Sequence, residues 1–270
     1  MKTTKPAFPY ILWMAIFTLI PILLIVHYTF TAPGDVFGLT LNNFSRFFDP
    51  LYLNILRRSM ILAAQATVIC LFIGYPVAYI LAQREFRDRH VLIFLFVVPM
   101  WMNFLIRTYA WMTILGTNGV LNTVLGALGL PPVQILFTER AVLLGLVYTF
   151  LPFMILPLYT SIQKIDFSLI EGAQDLGANS FNVFKSIIIP LSIPGIVSGL
   201  TMVFMPAVAT FLISNLLGGA QFILIGNLIE QQFLTVGNWH FGSALALILM
   251  ILIVACNWVI NLMNTEKEQL

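Results

Sequence analysis

Of the chain's 270 residues, 60% are hydrophobic and only 9% are charged, against about 25% charged in an ordinary soluble domain, and the mean hydropathy is +0.96. That balance excludes a protein whose whole surface meets water. A net charge of +2, with thirteen scattered Lys and Arg, also excludes the basic face of a nucleic-acid binder.

A spanning helix needs about 20 mostly apolar residues, and six stretches supply them: 10–30, 59–82, 91–115, 141–162, 196–217 and 243–263. The fold class this predicts is an all-α integral membrane protein, a single domain over 1–270 with six transmembrane helices and both termini on one side. Lys2 and Lys5 before the first stretch have the look of a secretory signal. The apolar run is long and no small-x-small site ends it, so it is read as an uncleaved span. The side shared with the termini would hold eight cations, Lys2, Lys5, Arg84, Arg87, Arg89, Lys164, Lys185 and Lys267. The other side would hold four, Arg46, Arg57, Arg58 and Arg140. That bias predicts cytoplasmic termini for a multi-pass membrane protein. Pro21, Pro76, Pro99, Pro152, Pro157 and Pro206 fall inside the spans; each removes a backbone donor and bends its helix, which leaves room between helices.

Cys70 in the second span and Cys256 in the sixth lie in apolar runs with no partner for a disulfide or a metal, and are read as packing residues. In the third span Arg107 is the one cation inside any of the six, at a cost of about 2.5–3.5 kcal/mol if it sat at the bilayer centre. It either faces a polar path or snorkels to the headgroups. Asn103, Arg107 and Trp111 recur every four residues on one helix face, as a polar lining would.

Between the fourth and fifth spans lies a polar segment, 164–194, that the charge bias places in the cytoplasm. Ser168 with Glu171 three residues later forms a capping box, which predicts a helix over 169–176. Gly177 supplies a left-handed end. Asn179 or Ser180 can cap a second helix over 181–189, stopped by Pro190. Phe167, Ile170, Ala173, Phe181 and Phe184 are more apolar surface than a solvated loop carries, so this helical hairpin is expected to press on another protein.

The spacing of Glu171-Gly172-Ala173, three residues, Gly177, nine residues and Ile187-Ile188-Ile189-Pro190 resembles the signature loop of the binding-protein-dependent, type I ABC importer permeases. Gly172 and Ile189 depart from that loop's usual alanine and leucine. The loop in that family docks on the cytoplasmic ATPase, which implies a coupling role here for Glu171, Gly172, Ala173, Asp175, Gly177, Ile187 and Pro190. Asp49-Pro50-Leu51-Tyr52, Gly74-Tyr75-Pro76, Val98-Pro99-Met100-Trp101, Leu105-Ile106-Arg107, Leu151-Pro152-Phe153-Met154, Asp175-Leu176-Gly177-Ala178 and Leu224-Ile225-Gly226-Asn227 resemble the first permease subunit of the spermidine/putrescine branch. The resemblance implies a second homologous permease, a dimer of ATPase subunits that bind ATP and Mg, and a periplasmic or extracytoplasmic polyamine-binding protein. Other solutes move on the same scaffold in related permeases.

A polyamine path wants aromatic faces, carbonyls and a few carboxylates. Trp101, Tyr148, Phe204 and Phe211 offer rings, or are ordinary packing. Glu230, between the fifth and sixth spans, offers a carboxylate, or is a solvated loop acid. Asn215, four residues after Phe211, offers a polar contact or an interhelical hydrogen bond. The chain has no G-x-x-x-x-G-K-[ST] loop, so it is expected to bind no nucleotide cofactor and to draw ATP energy from its partner. Leu217-Gly218-Gly219-Ala220-Gln221 is read as a turn. His27, His90 and His240 are too far apart in sequence to read as a metal site. An ion-coupled carrier would need acids within the spans, and an intramembrane enzyme would need paired acids, a Ser with a base or a His cluster; neither pattern is present.

Overall fold

The computed structural model describes residues 8–32, 34–83, 90–219 and 221–265. Lys2, Lys5, Arg84, Arg87, Arg89 and Lys267 of the charge bias, and Ala220 of the glycine turn, lie outside them. Four helices are long and apolar enough to cross a membrane, and six spans result if each of two bent pairs counts as one.

The first span is α1 (Phe8–Met14), a π-helical turn (Ala15–Leu19) and α2 (Ile20–Phe30). The turn precedes Pro21, which has no N–H to give the preceding turn, and the π geometry absorbs the misfit. No residue of this span is fully buried over its most apolar window, and Trp13, Phe17 and Leu23 stand exposed, as lipid-facing side chains do. A two-stranded ribbon follows, β1 (Thr31–Ala32) and β2 (Asp35–Leu39), antiparallel with Thr31 opposite Leu39; the sequence pattern did not predict it. A short α3 (Asn42–Phe47) leads to α4 (Pro50–Ala82).

Helix α4 starts nine residues before the expected 59. Asp49 caps it by accepting the Leu51 N–H at 2.9 Å, and Pro50 takes the first helical turn, where its missing donor costs nothing. Thirty-three residues make it about 50 Å long, well over the ~30 Å of a hydrocarbon core.

The third stretch is not one helix. It divides into α5 (His90–Trp101) and α6 (Phe104–Leu115), the latter leading to α7 (Val120–Ala127), with a 91° bend at the break. Pro99 weakens the end of α5, and Asn103 starts a new helix by accepting the N–H groups of Leu105 at 2.9 Å and Ile106 at 3.4 Å. Asn103 is therefore the cap of α6 and precedes the helix face on which Arg107 and Trp111 lie. Helix α8 (Glu139–Gln163) is the centre of the bundle, packed along α4 and α12 (Ile193–Ala209). Met154 of α8 is the pinch point: a side chain at Gly74 would meet its Cγ at 3.1 Å, and one at Gly199 would meet its sulfur at 2.6 Å.

After α8 come α9 (Phe167–Asp175), α10 (Ser180–Val183), a π-helical turn (Phe184–Ile188) and α11 (Ile189–Leu191); the continuous helical run Ser180–Leu191 meets α12 at 62°. The fifth stretch also breaks early: α12 ends at Ala209, Thr210 is extended, and α13 (Leu212–Gly218) is separate. Then follow α14 (Ile225–Glu230), a π-helical turn (Gln231–Thr235) and α15 (Trp239–Thr265), which packs on α2 and α12. The second halves of both broken stretches, α6 and α13, pack together. Helices α4 and α8 run parallel, with Arg58 beside Glu139 at 3.4 Å near their starts and, further along both, the Cys70 thiol 3.6 Å from the Val147 carbonyl. The bundle thus has a helical-hairpin end, near Ala82 and Gln163, and an opposite end near Arg58 and Glu139.

Candidate functional site

At the hairpin end α9 starts two residues earlier than expected. Its cap is Asp166, whose carboxylate accepts the Ser168 N–H at 3.0 Å; Ser168 lies in the first turn and does not cap it. That backbone bond, joined by the Ser168 hydroxyl, holds the Asp166 carboxyl below the ordinary carboxylate range. The helix ends on Gly177 at φ +86°, with Gly177 N–H on Gln174 O at 2.9 Å and Ala178 N–H on Ala173 O at 3.0 Å. This paired closure satisfies two otherwise orphan carbonyls and turns the chain sharply. Asn179, one of the two expected caps, accepts the Asn182 N–H at 2.8 Å and starts α10. Pro190 does not stop the second helix at once: it opens α11, after a π-helical turn.

The hairpin has a dry side and an open side. Val183 and Ile188 are buried, with Ile170, Ala173, Ile187 and Pro190 half-buried. Phe184 sets its ring edge-on to Tyr75 at 5.7 Å and Tyr79 at 5.5 Å. The Tyr75 hydroxyl is 2.8 Å from Ser192 Oγ; since Ser192 donates to the Ile189 carbonyl at 2.9 Å, Tyr75 is the donor in that pair. Glu171, Gly172, Asp175 and Gly177 lie exposed, beside Leu176 at 91% and Phe181 at 69% exposure. Two large apolar side chains in that position need a cover. A groove of about 1,020 Å³ beneath the hairpin is lined by Pro157, Ser161, Lys164, Asp166, Leu169 and Gly195, among others.

At the opposite end the polar side chains form one connected set. Asn215 donates to Glu230 Oε2 at 3.0 Å, and Asn227 donates to Asn215 Oδ1 at 2.6 Å and to the Phe211 carbonyl at 2.9 Å. Glu230 and Phe211 line an otherwise apolar groove of about 590 Å³ with Phe233 and Met250. Asn215, Glu230 and Phe211, singled out from sequence, are thus brought together. Phe204 is elsewhere, in an apolar groove of about 420 Å³ beside Cys256.

Arg107 is 9% exposed. Its guanidinium donates to the Pro99 carbonyl at 3.0 Å and lies 5.5 Å from the Tyr148 ring and 5.7 Å from that of Phe104. Tyr148 in turn meets Trp111 edge-on at 5.2 Å. Because the helix breaks after Trp101, the Pro99 carbonyl loses its ordinary helical donor four residues on and accepts the Met102 N–H at 3.3 Å; Arg107 reaches back across the bend to supply a second, shorter bond. Trp101 is 76% exposed and stands apart from this group.

No sequence pattern marks Asn227, Ser214 or Ser59 as part of the polar set at this end. The Leu224-Ile225-Gly226-Asn227 run was visible, but only its tertiary setting shows what Asn227 does. Among the described residues no three His, Cys, Asp or Glu side chains gather where a metal ion would sit.

A bundle of bent spans with a side-chain-anchored helical hairpin at one end has the build of a transport permease. Residues 36–265 match the family described as binding-protein-dependent transport system inner membrane component. The chain belongs to that family, and is a multi-pass inner-membrane transport subunit rather than an enzyme. Within it, the chain is 43% identical to the spermidine/putrescine transport system permease protein PotB of Haemophilus influenzae, covering 96% of this chain and 93% of that one. It is 42% identical to PotB of Escherichia coli, over 96% and 97% of the two chains. The inner membrane ABC transporter permease protein YdcU of Escherichia coli is 29% identical over 80% of this chain and 73% of its own. A solved bacterial alginate ABC transporter, in complex with an alginate pentasaccharide-bound periplasmic protein, has a chain of the same fold: TM-score 0.81 at 17% identity, covering 97% of this chain and 96% of that one.

Proposed function

We propose that the chain is one of two homologous permease subunits of an ATP-driven polyamine importer in the bacterial inner membrane. The observation that carries this reading is the 43% identity to a spermidine/putrescine permease along nearly the whole chain. The fold neighbours move alginate, so the scaffold by itself does not select the solute. An importer's solute arrives on an extracytoplasmic binding protein, at the end opposite the hairpin. The hairpin and both termini then face the cytoplasm, as the charge bias of the sequence has it.

In this reading a dimer of ATPase subunits, which binds the ATP and Mg, covers Glu171, Gly172, Asp175, Leu176, Gly177 and Phe181 on the open side of the hairpin. Ala173, Ile187 and Pro190 root that knuckle in the bundle. ATP-driven closure of the ATPases pulls on the hairpin, and the bundle alternates between outward and inward openings. A polyamine is a flexible polycation, and Glu230, Asn215 and Phe211 offer it a carboxylate, an amide and a ring; Trp101 offers a second, exposed ring. A buried cation repels such a solute, so Arg107 is assigned with Asn103 and Tyr148 to holding the bend of the third span. The test is uptake of radiolabelled putrescine and spermidine by cells that lack their own importer and are supplied with this chain and its co-purifying subunits. ATP-dependent accumulation of either is expected. A complex that assembles and hydrolyses ATP yet accumulates neither would refute the solute, and accumulation by the chain without ATPase would refute the mechanism.

A further inference from the structure

We infer that Asn227 is the positioning residue of the end opposite the hairpin: one buried amide that holds the broken fifth span and aims Asn215 and Glu230. The inference deepens the permease reading and, for its functional arm, rests on it.

A side-chain amide has two N–H donors and two carbonyl lone pairs, and Asn227, 7% exposed, uses all four. Its oxygen accepts the Leu224 N–H at 3.0 Å and the Ser214 hydroxyl at 2.5 Å. Its nitrogen donates to the Phe211 carbonyl at 2.9 Å and to Asn215 Oδ1 at 2.6 Å. The four partners lie on both sides of the turn at Gly219, so one side chain ties α13 to α14. Asn215 is fixed in orientation by this pair of contacts, because its oxygen must face Asn227 and its nitrogen is then left to reach Glu230 at 3.0 Å. An amide turned the other way would set its oxygen against the carboxylate.

Two neighbours make the same segment hard to displace. Gly226 lies against the end of α12, where a side chain would meet the Ala209 carbonyl at 2.5 Å and the Thr210 carbonyl at 3.0 Å. The Ile225 N–H donates to Ser59 Oγ of α4 at 2.8 Å, beside Arg58, whose guanidinium lies 3.8 Å from the Phe222 ring. The Leu224–Asn227 run is therefore built around the break: Gly226 allows the approach and Asn227 makes the connections.

The experiment uses the assembled transporter with Asn227→Asp, a variant of the same size that keeps both acceptor contacts and loses both donor contacts. Hydrogen–deuterium exchange is expected to rise at least five-fold across 211–218, while the Leu224 amide, still accepted, stays within two-fold of wild type. The half-saturating putrescine concentration is expected to rise at least five-fold, with membrane abundance and ATP hydrolysis within two-fold. Glu230→Gln added to Asn227→Asp is expected to change it by less than two-fold more, because the first change has already released the carboxylate. Unchanged exchange across 211–218 would overturn the brace. A loss of abundance at constant half-saturation, or fully additive effects of the two substitutions, would overturn the aiming of Glu230. A wild-type complex that imports no polyamine would sink the proposed function instead, and the exchange measurement would still decide the brace.

Discussion

Gly177 is where the sequence, the turn and the proposed transmission of work meet, and replacing it separates backbone strain from contact. Its φ of +86° lies in the left-handed region, which costs an L-residue with a Cβ about 1–2 kcal/mol and costs a β-branched one at least that much. A Cβ there would meet nothing within 4 Å, so Gly177→Val is penalised by the backbone alone within this chain. A penalty of 1–2 kcal/mol lowers the closed-to-open ratio of the turn by roughly 5- to 30-fold. The turn is held by two backbone bonds, Gly177 N–H to Gln174 O and Ala178 N–H to Ala173 O, and the variant is expected to weaken both together by that factor. Gly177→Asn adds more atoms but tolerates the same φ. Uptake at equal membrane abundance, read beside co-purification of the ATPase, is expected to fall at least five-fold in the Val variant and less than two-fold in the Asn variant. Normal uptake by the Val variant would refute the strained-turn argument; equal failure of both would mean that the surface needs the absence of a side chain rather than the presence of the turn.

Arg107→Met removes a charge-assisted hydrogen bond to Pro99, worth about 1.5–3 kcal/mol, and is expected to lower the detergent-solubilised melting temperature and the abundance without changing the half-saturating solute concentration; a changed half-saturation at normal stability would return Arg107 to the path. Gly199→Leu drives a side chain into Met154, 2.6 Å from where its Cβ would stand, and overpacking of this kind costs about 1–3 kcal/mol; it is expected to reduce recovery of folded protein by size-exclusion chromatography, whereas Ser198→Leu, at an exposed neighbour, is not. Asp166 has a lowered carboxyl pKa, so its cap stabilises α9 fully above the ordinary carboxylate value of about 3.9 and is lost only as pH falls through the lower folded value. ATPase association is therefore expected to show no titration from Asp166 between pH 5 and 8, checked by comparing the pH profile with that of Asp166→Asn; a midpoint in that window present only with Asp166 would refute the cap.

The hairpin was legible because its signals are local. A glycine needed at positive φ and an asparagine cap act within four residues of themselves, and Gly177 and Asn179 do in the structure what their positions predicted. The difference at the start of α9 is also local: Ser168 and Asp166 are both good cap residues two positions apart, and Asp166 takes the cap by accepting the Ser168 N–H, so the helix starts two residues earlier. The breaks at Asn103 and Thr210 were not legible, because hydropathy stays high through both and periodicity in an apolar run does not distinguish one helix from two. Pro99 followed four residues later by Asn103 was the available signal: a lost donor and then a cap. The role of Arg107 depended on that break, since only a bent span leaves the Pro99 carbonyl within reach. Asn227 was invisible for a different reason. Its four partners span Phe211 to Leu224, and no spacing rule links an amide to a carbonyl across a glycine turn.

The two ends of the molecule are connected by α4. Tyr75, near its end, donates to Ser192 at the base of the hairpin, and Ser59 accepts the Ile225 N–H of the segment held by Asn227. Sixteen residues separate them on one helix, a rise of about 24 Å. The Arg58–Glu139 pair beside Ser59 is about 40% exposed on each side, and such a pair contributes only about 0–1 kcal/mol. It is the buried bonds that tie the segment to the helix. A movement at the hairpin that displaces Ser192 must either break its hydrogen bond with Tyr75 or carry α4 along, and α4 cannot shift lengthwise without moving Ser59 under Ile225. Pro76, one residue beyond Tyr75 on the same helix, leaves the Phe72 carbonyl without its helical donor, so the helix can bend there instead. If the hairpin couples to the ATPase as proposed, displacement along the axis of α4 is expected to reach the Asn227 segment through Ser59 and Ile225, and sideways displacement to be taken up at Pro76.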